Sequence, residues 1–455
     1  MIDQINISNI HKVYFIGIGG IGMSAIARYF LSLGIEVYGY DKTSTRLTDA
    51  LRQEGALISF KDDPSSCPVD VDIVIYTPAI PSDSGIMQFY NQLQKPLLKR
   101  SDVLGLISKN SYNICIAGTH GKTTISTMVA HVLRDAAYGC NAFLGGISSN
   151  YETNFWSSEN NCTVIEADEY DRSFLKLHPN IIAITSMDPD HLDIYGTASA
   201  MEEAFLTFVS KLDAEGLLLT KKGLAKEACF AGKNHLTYHL TQVKADIHVS
   251  ELSIVNGGYQ YNVNGPGWTL KQVRLNMGGM HNVENSLVAI AIAKYLKIAD
   301  DRILNAIAGF KGVKRRFEFI VKNEKAIYID DYAHHPEELR ALITGVRGLY
   351  PSKKITVVFQ PHLYSRTRDF AEGFAESLSM ADQVAIMPIY PAREKPIEGV
   401  TSEIISSKMT SKVSLLQDKD VLKFIDQSNP ELLVTAGAGD IDQSVGPIKA
   451  FLLNQ

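Results

Sequence analysis

No run of about 18 apolar residues occurs in the sequence, which excludes a membrane-spanning helix of ordinary length. The N-terminus has no basic stretch followed by a long apolar one, so no signal peptide is expected. Cysteine is scarce. The five are Cys67, Cys115, Cys140, Cys162 and Cys229, an odd number without a C-x-x-C pair. That usage argues against a disulfide framework or a zinc site and fits a reducing compartment. An excess of basic residues is also absent: 44 Lys and Arg face 50 Asp and Glu, a net charge of −6. A dedicated nucleic-acid binder would carry a basic footprint. No repeat and no low-complexity tract appears. These absences leave a cytoplasmic protein with neither nucleic acid nor membrane as partner. They do not bar anionic ligands, because helix ends bind phosphate whatever the net charge.

What is present is a chain able to bury real cores. Hydrophobic residues make up 45% and charged residues 21% of 455. At roughly 100–200 residues per domain, two to four domains are expected. Short apolar strand-like runs alternate with helical patterns, the mark of α/β domains with largely parallel sheets. Three blocks emerge, over 1–108, 109–313 and 314–455. The first has strands predicted over 13–16, 36–40 and 72–76 and a helix over 23–33. The second has strands over 113–117, 163–166 and 181–185, a β-rich part over 217–275 and a helix over 282–296. The third has strands over 326–329, 354–359, 383–388 and 431–435.

Two glycine turns carry the chemistry. Gly17, Gly19 and Gly22 fit G-x-G-x-x-G between a strand and a helix, with Gly20 inside the turn. Such glycines let a pyrophosphate approach the backbone and the free N–H groups of the helix start. Asp41 ends the next strand, where a carboxylate can accept from a ribose hydroxyl. The pattern fits NAD and a UDP-sugar equally. The second turn, Gly118-Thr119-His120-Gly121-Lys122-Thr123-Thr124, again follows a strand and opens a helix. Its backbone can cradle phosphates, Lys122 can reach their oxygens, and the Thr123 hydroxyl can ligate Mg²⁺. Ile116 stands where the first glycine of a full Walker A loop would be. Two strand ends then supply Glu166, Asp168, Glu169 and Asp171, and Asp188, Asp190, His191 and Asp193. Ligands gather at the carboxyl ends of strands in open α/β sheets, and a Mg²⁺–triphosphate needs oxygen ligands there.

These residues, with GMHNVENSLVAIAIA (279–293), GVKRRFE (312–318), DDYAHHP (330–336) and FQPHLYSRTRDF (359–370), resemble the Mur ligase family in order and spacing over nearly the whole chain. The resemblance implies three domains. The first is a Rossmann-like domain for a UDP-muramate. The second is a central P-loop-like ATPase domain with a parallel sheet and a small β-rich part. The third is a C-terminal Rossmann-like domain for ATP and the amino acid. It decides the first turn for UDP, so that Gly17, Gly19, Gly20, Gly22, Asp41 and Thr77 are expected on that substrate. It implies Lys122 on the phosphates, Thr123, Glu166 and His191 on Mg²⁺ (or Mn²⁺), and His281, Asn282 and Asn285 near the adenine. It further implies Arg316, Asp330 and Tyr332 on the nucleotide, and His334, His362 and Arg366 around the acyl phosphate and amino acid. Two departures stand out. Leu363 occupies a position where the alanine-specific members often carry arginine, which Arg366 or Arg368 would have to replace. Phe205 and Leu206 occupy the region where several sister ligases carry a carbamylated lysine, so no carbamate is expected.

The implied reaction joins the lactyl carboxylate of UDP-N-acetylmuramate to L-alanine at the expense of ATP, in peptidoglycan synthesis, by a monomer or homodimer. A carboxylate is a poor electrophile, so phosphoryl transfer to an acyl phosphate would activate it, with Lys122 and Mg²⁺ offsetting charge. His334 is the candidate base for the amine, since an imidazole suits that task near neutrality. Three rivals remain: a sister ligase that attaches a preformed tripeptide, an NAD-dependent dehydrogenase, and a nucleotide-hydrolysing switch.

Overall fold

The computed structural model describes residues 5–454 apart from 82, 190, 191, 231, 393, 411, 412, 418 and 419. The chain forms two compact units. The first runs through Ser250 and takes in Asn262–Lys271 and Glu284–Ile307; the second comprises Glu251–Tyr261, Gln272–Val283 and the chain from Ala308 on.

The first unit begins with a parallel sheet. Its strands are β1 (Lys12–Ile16), β2 (Glu36–Tyr40), β3 (Leu57–Ser59), β4 (Ile73–Tyr76) and β5 (Leu97–Lys99), in the order β3-β2-β1-β4-β5. In β1 the run Val-Tyr-Phe-Ile is buried throughout, as a strand covered on both faces must be. Helix α1 (Ile21–Ser32) follows β1, α2 (Arg46–Gln53) follows β2, α3 (Gly85–Gln92) precedes β5, and α4 (Arg100–Ser108) leaves β5 directly. Thr45 and Thr48 close a capping box at the start of α2.

The second sheet has ten strands: β6 (Tyr112–Ala117), β7 (Asn141–Ser148), β8 (Thr153–Trp156), β9 (Cys162–Glu166), β10 (Ile181–Ile184), β11 (Leu217–Lys221), β12 (Asn234–His239), β13 (Ile247–Val255), β14 (Gly258–Gly265) and β15 (Trp268–Leu275). Their order is β15-β14-β13-β12-β11-β10-β6-β9-β7-β8, mixed because β7 and β8 pair antiparallel. Helix α5 (Lys122–Asp135) leaves β6, whose neighbours are β9 and β10. Ligands collect at such a place, where the connections diverge to either side of one strand. Within this unit one apolar cluster runs from Phe15, Ala25 and Phe30 through Phe143 and Phe155 to Phe205 and Phe208. Buried Arg28 of α1 pairs with Glu54 at 2.8 Å and donates to Asn154 of β8. The two sheets of this unit are thus held as one body.

The second unit carries a six-stranded sheet: β16 (Glu318–Lys322), β17 (Ile327–Asp331), β18 (Ile355–Phe359), β19 (Gln383–Ile386), β20 (Val413–Leu415) and β21 (Leu432–Ala436), in the order β16-β17-β21-β18-β19-β20. Only β16 runs antiparallel to its neighbour among the recorded pairings. The expected α/β class and three-sheet architecture therefore hold. The expected largely parallel pairing yields at β8, at β16, and along β13, β14 and β15, whose two-residue links allow only antiparallel neighbours. Among the described residues no helix is long and apolar enough to cross a membrane. Phe205 is fully buried against Phe174, with ring centroids 5.2 Å apart, so the position that could have borne a modified lysine is core.

Candidate active site

The turn between β6 and α5 is shaped by its own glycines. Gly118 has φ +120°, and a Cβ there would collide with the Thr185 hydroxyl. Gly121, at φ +80°, caps α5 without any side-chain hydrogen bond. The first turn of the helix therefore offers backbone donors and a positive dipole end, as an anion requires. Thr119 pairs with Ser186 through their hydroxyls at 2.7 Å, and the His120 N–H donates to the same Ser186 oxygen at 3.0 Å. The imidazole of His120 is exposed, 3.6 Å from Asp188. Thr124 is buried in the first turn. Asn285 lies against the turn, 3.2 Å from where a Cβ on Gly121 would stand.

Lys122 points back into this cradle. Its ammonium donates to the Gly118 carbonyl at 2.7 Å and to Glu169 at 2.8 Å. The Glu169 side chain is 1% exposed and that of Lys122 13%, so this is an inward-held ion pair at the mouth of the turn. The Tyr195 hydroxyl donates to the Glu169 carbonyl at 2.6 Å and fixes the loop from behind. Thr123 donates its hydroxyl to Glu166 Oε1 at 2.9 Å, while Oε2 of Glu166 accepts the Gly145 N–H at 2.9 Å. A hydroxyl and a carboxylate side by side are hard oxygen donors of the kind Mg²⁺ takes. The described residues contain no cluster of three His, Cys, Asp or Glu that could cage a metal alone. His191, expected beside it, lies outside the described residues.

The first glycine turn joins β1 to α1. Gly17, at φ +86°, and Ile18 both donate to the Tyr40 carbonyl, at 2.8 and 3.1 Å. Thr77 borders Gly17, its methyl 3.0 Å from where a Cβ would be. Asp41 accepts the Gly19 N–H at 2.8 Å, so its carboxylate braces the turn. Gly20 caps α1 with no side-chain hydrogen bond. Beyond Gly22 a cavity of about 130 Å³ is lined by Arg100, Leu144, Gly145, Glu166 and Asp168. One cavity of this unit thus borders both Gly22 of the first glycine turn and Glu166, the candidate metal carboxylate.

The second unit gathers the remaining candidates into two groups. Arg315 and Phe317 both have positive φ, 58° and 49°, and bracket an exposed Arg316. Asp330 is fully buried, 3.2 Å from Arg315 and accepting from Thr435. The expectation placed Asp330 on a nucleotide; in the structure its carboxylate is engaged internally by Arg315, whose guanidinium also reaches the carbonyls of Gly437 and Gly439. Burial, only partly offset by Arg315, pushes Asp330 up to about 6. Burial likewise pushes the neighbouring Asp331 up to about 6, although it accepts the N–H groups of Phe317 and Ala333. Tyr332 is exposed, its ring beneath Arg315 at 5.2 Å. Asn282 is buried and its amide donates to the Gly278 carbonyl at 2.7 Å, which ties down the loop before it, beside exposed His281.

His334, His362 and Arg366 come together at the ends of β17 and β18. The two imidazoles lie 5.9 Å apart, and His362 stacks on Tyr390 at 5.8 Å. His334 Nδ1 lies 2.9 Å from the Tyr332 carbonyl. Donation there leaves the lone pair of the neutral ring on Nε2. Burial first, then His334 and Arg366, push His362 below its usual value, so it is neutral at pH 7. His362 Nδ1 and one guanidinium nitrogen of Arg366 are buried without hydrogen-bond partners. Buried donors and acceptors are ordinarily paired, so these two atoms are open to a polar partner. Arg368 pairs with Asp369 on the surface. Leu363 has φ 70°, a strained position held by its N–H to the Tyr390 carbonyl.

Sequence reasoning missed the partners rather than the principals. Glu169 as the seat of Lys122, Gly145 as the second donor to Glu166, Ser186 on the turn, and Arg100 all arrive through tertiary packing.

Family models match in chain order: the "Mur ligase family, catalytic domain" over 12–112, the "Mur ligase middle domain" over 116–293 and the "Mur ligase, glutamate ligase domain" over 315–439. The chain is 45% identical to the UDP-N-acetylmuramate–L-alanine ligase of Flavobacterium johnsoniae over 98% of its own length and 99% of the relative's. It is 44% identical to that of Cytophaga hutchinsonii, over 98% and 97%. Among solved structures it is similar to the UDP-N-acetylmuramate–alanine ligase of Thermotoga maritima, with a TM-score of 0.83, 28% identity, and coverage of 98% of this chain and 100% of that one. The chain belongs to the Mur ligase family.

Proposed function

We propose that this protein joins the lactyl carboxylate of UDP-N-acetylmuramate to L-alanine, with ATP converted to ADP and phosphate, as a step in peptidoglycan synthesis in the cytoplasm. The observation that carries this reading is the cradle of Gly118–Thr124, with Lys122 held inward and Thr123 bonded to Glu166, a carboxylate that also lines the cavity beside Gly22 of the first glycine turn. The names of the full-length relatives support the choice of substrates.

The first turn and Thr77 take the UDP moiety. The turn before α5 takes the ATP phosphates through backbone N–H groups, as helix N-termini do. Lys122 leaves Glu169 for phosphate oxygens and offsets the charge that develops during transfer. Thr123 and Glu166 would hold Mg²⁺, which supplies further charge neutralisation on the phosphates. The muramyl carboxylate attacks the γ-phosphorus in line, the bond to the β-phosphate oxygen breaks, and an acyl phosphate and ADP result. In the second unit Arg366 pairs with the amino acid's carboxylate, and His334 Nε2 accepts a proton from its ammonium. The freed amine attacks the acyl carbon, and phosphate leaves. Asn285, beside the turn, and exposed Arg316 are assigned to the nucleotide.

The test is phosphate release from ATP, screened over substrates. Release is expected only with UDP-N-acetylmuramate and L-alanine together. Rapid release with a tripeptide but not alanine would identify the tripeptide-adding sister activity. Release from ATP alone would mark a hydrolytic switch.

A further inference from the structure

Arg100 stands at a place where the reaction needs a cation. It opens α4, directly after β5, yet its guanidinium packs onto Gly22 of the first turn, so closely that a Cβ on Gly22 would collide with it. On its other side it lies 3.3 Å from Asp168, two residues past Glu166, with its side chain 27% exposed. Among the described residues it is the one cation lining the cavity that runs from Gly22 to Glu166, whose other charged walls, Glu166 and Asp168, are carboxylates. On the functional reading above, a third carboxylate, that of the substrate, must enter this space. Like charges at such separations repel strongly in a partly desolvated site. A planar guanidinium matches a carboxylate through two parallel hydrogen bonds.

We propose that Arg100 is the substrate-binding residue that recognises the lactyl carboxylate of the sugar nucleotide, exchanging Asp168 for it when the substrate enters. The diphosphate belongs at the uncapped start of α1, where Gly20 leaves the helix donors without a side-chain cap. The Arg100 guanidinium bridges from Gly22 to Asp168 and so extends past the turn along the cavity that Glu166 also lines. It therefore reads the part that distinguishes a muramyl from a glucosaminyl nucleotide.

The experiment measures calorimetric binding of UDP-N-acetylmuramate and UDP-N-acetylglucosamine, which lacks the lactyl acid, to the full chain and to Arg100→Ala, Arg100→Lys and Asp168→Asn. Arg100→Ala is expected to weaken the muramyl nucleotide about tenfold or more, as loss of a charge-assisted pair does, and to leave the glucosaminyl nucleotide within about twofold. Arg100→Lys should fall between. Asp168→Asn, which frees the guanidinium, should bind the muramyl nucleotide at least as tightly as the parent. Equal weakening of both nucleotides by Arg100→Ala would place the arginine on the diphosphate and overturn the proposal. So would unchanged binding of both, which would make the Arg100–Asp168 pair purely structural. Should Arg100→Ala not fold, a fall for both nucleotides in Asp168→Asn overturns it instead. A parent chain that binds neither nucleotide contradicts the functional reading, not this assignment.

Discussion

Replacing Lys122 by alanine is expected to lower the ligation rate by at least about 10³-fold, the order of effect seen when a preorganised charge on a transition state is removed. UDP-N-acetylmuramate binding should stay within about twofold, because the first glycine turn and its cavity are untouched. The substitution has a second consequence. Glu169 is 1% exposed and Lys122 is its ion-pair partner. Removing one member of a buried ion pair costs about 3 kcal/mol of stability. Activity loss by itself would therefore mix catalysis with unfolding. The double variant Lys122→Met with Glu169→Gln separates them, since it removes both charges and keeps the volume. Its melting temperature is expected to recover toward the parent's, and its ligation rate is not. Thermal melts beside phosphate-release rates check both. Recovery of turnover by the double variant would show that Lys122 serves only the fold.

Glu166→Gln is expected to cost about 10²–10³-fold in rate at ordinary Mg²⁺ concentrations, the cost typical of losing one electrostatic stabiliser. The carboxylate has two oxygens, and both are committed: one accepts the Thr123 hydroxyl and the other the Gly145 N–H. An amide has a single acceptor oxygen, so one of those bonds is lost and an N–H₂ group is turned toward a neighbour that donates. The fold should suffer by only about 1 kcal/mol. The charge available to a cation falls from −1 to zero, so the Mg²⁺ needed for half-maximal rate should rise several-fold. A Mg²⁺ titration of the initial rate reads this directly. An unchanged half-point together with a low rate would remove Glu166 from the metal and leave it as a brace for Thr123.

The parts of this site that were legible in the sequence are those in which one local segment does one job. A glycine turn between a strand and a helix advertises itself, because only glycine takes the φ values at Gly17, Gly118 and Gly121 without strain. Glu166 was legible because a carboxylate ending a buried strand in an α/β sheet falls where ligands bind. The illegible parts depend on packing between distant segments. Nothing near Arg100 signals that α4 brings it onto Gly22. Glu169 was one of four acids in a short run, and only burial selects it as the seat of Lys122. Asp330 shows a different limit. Its motif placed it on a ligand, and the structure ties it to Arg315 and Thr435 inside the second unit. A sequence pattern does not state whether an acid at a strand end faces the cleft or the core. The strain at Leu363 was equally hidden, since leucine carries no local hint of a positive φ.

The central claim is that ATP's terminal phosphoryl is transferred to the muramyl carboxylate. UDP-N-acetylmuramate labelled with ¹⁸O in both carboxylate oxygens tests this most directly, by mass analysis of the phosphate released during ligation to alanine. Attack by the carboxylate leaves a labelled oxygen bridging carbon and phosphorus, and the amine's attack then expels it with the phosphate. Each released phosphate is expected to carry one ¹⁸O. Phosphate without label, formed as the amide forms, would contradict the account.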